Sequence, residues 1–149
     1  MAGEPQLFDE VRDALEGLVD SDLGELHTKV HRGGIKVWFD AALKEHYEAQ
    51  WIRGHHLDRS REDWYIEIGF HSEYPKVAAN DEVLTRIGSE ALTTIGGEVE
   101  AGEFLGASNW RRISEVWDPP EPDDPDIAIE IAARLADYID AIEPLRTVG

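Results

Sequence analysis

The chain has 149 residues, no cysteine and a formal net charge of −18. Without cysteine there are no disulfides, no thiol chemistry and no Cys-ligated zinc or iron–sulfur centres. Its charge repels a phosphate backbone at long range, so nucleic acid is not an expected partner. With 42% hydrophobic residues, five Trp, four Tyr and four Phe, a chain of this length points to one packed domain over 1–149. The first ten residues, MAGEPQLFDE, lack the basic and apolar regions of a secretory signal. No stretch reaches the roughly 20 apolar residues of a membrane helix. A cytoplasmic protein with no membrane partner is the expectation.

Residues 6–19 read as a helix, with Phe8, Val11, Leu15, Leu18 and Val19 on one stripe and Pro5 near the start. Residues 26–39 follow period two, interrupted by Gly33-Gly34 as a bulge or tight turn. Segments 43–52 and 64–71 read as a second and a third strand, joined by the loop RGHHLDRSRE (53–62). Asn80 reads as the N-cap of a helix with Asp81 and Glu82 in its first turn. Val83, Leu84, Ile87, Ala91 and Leu92 form its apolar stripe, and Gly96-Gly97 ends it. Short strands are expected at 98–104 and 110–117. The segment DPPEPDDPD (118–126) is a stiff acidic connector that cannot pair inside a sheet. Asp124 before Pro125 opens the last helix, with Ile127, Ile131, Leu135, Tyr138 and Ile142 as its stripe.

The order α-βββ-α-ββ-α predicts a two-layer α+β fold, an antiparallel sheet of about five strands with helices packed on one face. This element order is similar to that of the small acidic chaperones of type III secretion. The resemblance covers most of the chain in order only, and no binding residue is carried over from it.

Charge is uneven along the chain. Residues 1–26 hold one base against eight acids, 27–61 seven bases against four acids, and 62–149 six bases against twenty acids. The net values are −7, +3 and −14, and all six histidines lie between His27 and His71. Strand alternation resolves this basic island further. Trp64, Ile66, Ile68 and Phe70 point one way, and Tyr65, Glu67, Gly69 and His71 the other. Leu43, Tyr47, Ala49 and Trp51 oppose Lys44, His46, Glu48 and Gln50, with Glu45 falling on the nominally apolar side. Leu26, Thr28 and Val30 oppose His27, Lys29 and His31. The polar sets share the face away from the helices, expected to be solvated. There His46, Glu48, Glu67 and His71 are the candidates for acid–base or metal chemistry.

No metal or other cofactor is expected from spacing alone. His27 and His31 on one strand would stand about 13 Å apart, and no HExxH signature is present. Tyr65 on the sheet face, with Arg53, His55, His56, Arg59 and Arg61 of the loop, are the candidate binding residues, since guanidinium groups grip carboxylate or phosphate in pairs of bonds. Trp110 with Arg111 and Arg112 reads as packing rather than a stacking site. The leading expectation is a non-enzymatic, chaperone-like or adaptor domain. It would recognise a protein partner through the polar face and the basic loop, as a homodimer. The alternatives are a metal-assisted hydrolase using His46, Glu48, Glu67 and His71, and a small-anion or ligand sensor using the arginine loop.

Overall fold

The structure, a computed structural model, describes residues 4–39, 43–54, 63–104, 107–121 and 123–146. In chain order these form α1 (Glu4–Glu16), a 3-10 turn (Ser21–Leu23), β1 (His27–His31), β2 (Gly34–Trp38), β3 (Glu45–Arg53) and β4 (Trp64–Ser72). Then come α2 (Val77–Ile87), α3 (Ser89–Ile95), β5 (Glu100–Phe104), β6 (Ala107–Trp117) and α4 (Ile127–Arg146). All strands are antiparallel in one sheet of order β1-β2-β3-β4-β6-β5. The two-layer α+β class and the order of elements are as expected from the sequence.

The sheet has six strands rather than five because the chain makes a hairpin turn at Arg32-Gly33, with His31 paired to Gly34. Glycine is needed at 34 for close approach. A Cβ there would lie 2.9 Å from Gln50 Cα and closer still to Ala49 O. The first helix stops at Glu16, short of Leu18, which is left exposed. The middle helix breaks at Gly88, whose φ of 79° suits a residue without a Cβ. It also begins three residues before Asn80, so Asn80 is not its N-cap. The side chain is instead fully buried, accepting bonds from Ser72 Oγ at 2.8 Å and the Tyr74 N–H at 2.9 Å. Its amide donates to Tyr74 O at 3.0 Å and Asn109 O at 2.8 Å. A local Asn-Asp-Glu signature was overridden by four tertiary bonds. Asp124 lies ahead of α4 and accepts the Asp126 N–H at 2.9 Å, turning the chain into it.

The core lies between the helices and one sheet face. Phe8, Val11 and Leu15 of α1 and Ile131, Leu135, Ile139 and Ile142 of α4 are buried with Ile35, Val37, Tyr47, Ile66, Ile68, Phe70 and Ile113. Each such side chain contributes roughly 1.5–3 kcal/mol by leaving water. Two polar networks tie α4 to the same face. Arg134 and Tyr138 bond Glu115 Oε1 at 2.9 and 2.7 Å, and Trp117 Nε1 donates to Glu115 Oε2 at 2.7 Å. Further along, Arg146 bonds both Glu143 (2.7 Å) and Glu45 (3.2 Å), while the hydroxyls of Tyr47 and Tyr74 donate to Glu143 and Glu45. Glu45 therefore does stand on the apolar side, held there by a helix residue 101 positions away.

Candidate metal centre

Register decides which polar side chains meet on the opposite face. In the β3–β4 pair His46 faces His71, Glu48 faces Gly69, and Gln50 faces Glu67. Glu67 and His71 are four residues apart on one strand, about 13 Å along the backbone. Their side chains nonetheless meet at 2.7 Å, His71 Nε2 to Glu67 Oε2, across Gly69. Gly69 is also where β6 comes closest. A Cβ there would lie 2.5 Å from Ser114 Cα.

This face is not solvated. His46, Glu48, Glu67 and His71 are exposed by 1, 4, 0 and 0%. Alternation identifies the face a residue occupies and says nothing of whether that face is covered, which is why the expected solvation fails here. Buried charges must be paired, and these are. Glu67 accepts from His71, from Gln50 Nε2 at 2.9 Å and from Ser114. Glu48 Oε1 lies 3.0 Å from His46 Nε2 and 3.3 Å from His71 Nδ1. A third carboxylate joins them: Glu73 Oε2 lies 3.5 Å from His71 Nδ1 and 3.7 Å from His46 Nε2. The two rings meet edge to face, with centroids 5.3 Å apart.

Hydrogen bonding sets the direction of each imidazole. His46 Nδ1 lies 2.8 Å from Leu43 O, which can only accept, so Nδ1 carries the hydrogen and Nε2 faces Glu48. His71 donates from Nε2 to Glu67 and turns Nδ1 toward Glu48 and Glu73. Burial opposes a charge on His71, yet Glu67, with Glu48 and Glu73, outweighs it and raises the His71 pKa well above the ordinary value. Burial likewise opposes ionisation of Glu48 and Glu67. For Glu48, hydrogen bonds from His46 and His71 prevail, and for Glu67 the charge of His71 does, so both carboxyls stay below the usual range.

His46, Glu48, His71 and Glu73 each offer one ligand atom, and all four atoms lie within 4.8 Å of one another. A tetrahedral ion with bonds of about 2.05 Å has ligand–ligand edges of about 3.3 Å. The four N···O edges measured above, 3.0, 3.3, 3.5 and 3.7 Å, bracket that value.

Of the sequence candidates, His46, Glu48, Glu67 and His71 come together, while Tyr65 is buried on the same face opposite Ile52. Arg53 stands over the Trp64 ring at 4.6 Å. His55, His56, Arg59 and Arg61 lie outside the described residues. His27 and His31 separate as expected. His27 stacks on Trp38 at 5.6 Å, and His31 Nε2 lies 3.3 Å from Glu48 Oε2. Arg111 and Arg112 pair with Asp81 and Glu100 within the fold. Sequence reasoning missed Glu73, although its signal was present: it is the next residue of the same parity after His71. No family model, curated protein or solved structure matches the chain.

Proposed function

We propose that this protein binds a divalent first-row transition-metal ion between β3 and β4, with His46 Nε2, His71 Nδ1 and one oxygen each of Glu48 and Glu73 as ligands. The observation that carries this reading is the convergence of two imidazole nitrogens, each oriented by an outer partner, on the buried Glu48 and the partly buried Glu73 at N···O distances of 3.0 to 3.7 Å. Leu43 O and Glu67 fill the role of outer partners that fix ring direction around a metal. Charge supports it too. Glu48, Glu67 and Glu73 bring three carboxylates to a buried face, and a divalent ion offsets two negative charges there. A mixed nitrogen and oxygen donor set suits zinc, iron or manganese rather than a thiophilic ion.

Four protein donors complete a tetrahedral shell, which favours a non-catalytic, ion-holding role. The metal-assisted hydrolase reading draws on Glu73. At 15% side-chain exposure it is the most exposed of the four donors, and its release would open a position for water. The expectation of a protein partner draws on charge patterning, and the described residues add no contact surface to it.

Chelator-treated protein titrated with Co2+ and Zn2+ is expected to bind one equivalent, with a tetrahedral Co2+ visible spectrum. At a free ion concentration of 100 Kd the stabilisation is about 2.7 kcal/mol, a rise in Tm of roughly 5–11 °C for a chain of this size. Glu48→Gln and the more exposed Glu73→Gln should each weaken binding. Absence of saturable binding, or binding indifferent to both changes, refutes the reading.

A further inference from the structure

A cleft of about 570 Å3 opens where the β1–β2 turn meets the ends of β3 and β4 remote from His46 and His71. Among the described residues it is lined by Arg32, Gly33, Trp51 and Trp64. That volume is typical of small-molecule sites. Its walls follow from local structure. The Trp51 backbone N–H donates to Gly33 O at 2.8 Å, which docks the turn on β3. A Cβ on Gly33 would meet nothing within 4 Å, so the cleft has room at that wall. Phe8 holds the Trp51 ring edge to face, with centroids 6.5 Å apart.

The indole Nε1–H of Trp51 is buried and has no acceptor among the described residues. A buried donor without an acceptor is costly and calls for an explanation. Trp64 presents a half-exposed ring, and the Arg53 guanidinium lies over it. Arg32 is exposed at the turn. The chemistry of these groups is one-sided. An indole N–H and a guanidinium donate, the Arg53 guanidinium stands over Trp64, and among the described lining residues no side chain accepts. The net charge of −18 repels anions at long range, so it is the local pair of guanidinium groups that makes this cleft a favourable location for one. The indole rings add flat apolar area for an aromatic body.

We propose that this cleft binds a small planar aromatic carboxylate. Its ring lies against Trp64 and Trp51, and its carboxylate takes hydrogen bonds from Trp51 Nε1–H and Arg32. Trp51 projects from β3 on the face opposite His46 and Glu48, so this site stands or falls separately from the metal centre.

The test uses the full chain and 2-naphthoate as probe, followed by titration calorimetry. One saturable site is expected, and 2-naphthamide, of the same shape without the charge, should bind about tenfold more weakly. Trp51→Phe keeps a ring and loses the N–H, while Arg32→Ala alters an exposed turn residue. Each should weaken naphthoate binding by about tenfold and leave Co2+ binding unchanged. No saturable binding of naphthoate, equal binding of the amide, or affinity unaltered in both variants overturns the proposal.

Discussion

Asn80→Ala removes four hydrogen bonds at once from a fully buried position, those with Ser72, Tyr74 N, Tyr74 O and Asn109. At about 1 kcal/mol net for each bond, the loss is about 4 kcal/mol, and more if the Tyr74 N–H stays unsatisfied. For a chain of this size that lowers Tm by roughly 8–16 °C. Ser72 and Tyr74 flank Glu73, so the same change frees the backbone that places the fourth donor of the candidate centre. Co2+ affinity should fall by about tenfold or more, as for loss of other outer supports of a metal site. Asn80→Asp keeps the acceptor and loses both donated bonds, and it should fall between wild type and Asn80→Ala. Thermal melts by circular dichroism, paired with Co2+ titration below the transition, read both effects. A Tm for Asn80→Ala within about 2 °C of wild type would refute the reasoning, because ordinary surface substitutions already reach that size.

Gly69→Ala places a Cβ 2.5 Å from Ser114 Cα and closer to Ile113 O. It should cost about 2–3 kcal/mol of overpacking, read as a lower urea midpoint, and an unchanged midpoint counts against the β4–β6 approach. Asp140, although exposed, titrates above the ordinary aspartate value because of partial desolvation and then the charges of Asp137 and Asp20. Its folded form binds a proton more readily than its unfolded form, so it destabilises the protein at neutral pH and ceases to as pH falls below about 4. Asp140→Asn should therefore raise Tm slightly at pH 7 in low salt, by a margin that vanishes near about pH 3 and shrinks in high salt. A variant no more stable than wild type at pH 7 would contradict this sign.

Period-two alternation was enough to put His46, Glu48, Glu67 and His71 on one face, because strand geometry leaves only two choices for each residue. It could not show that the face is covered, since burial depends on what the rest of the chain lays over it. Glu45 could be seen to break the pattern, but its partners Arg146 and Tyr74 are distant in sequence and carry no local mark. Asn80 failed for the converse reason: its neighbours carry a strong local mark for a helix cap, and tertiary bonds took the side chain elsewhere. Gly33-Gly34 was legible as a break, whereas the choice between bulge and hairpin was made by the close approach of β3. The imidazole tautomers depend on Leu43 O and Glu67, contacts that only register and side-chain direction reveal.

The four donors of the candidate centre all belong to one β3–β4 hairpin and its immediate extension, residues 46–73. Each loop closed between them is short, so this part of the protein can assemble before α4, more than fifty residues further on, is in place. In the finished sheet the same hairpin is interior, flanked by β2 and β6. An ion captured there during synthesis would sit in strands with no free edge, and its escape would be timed by opening of the sheet rather than by its own bond strengths.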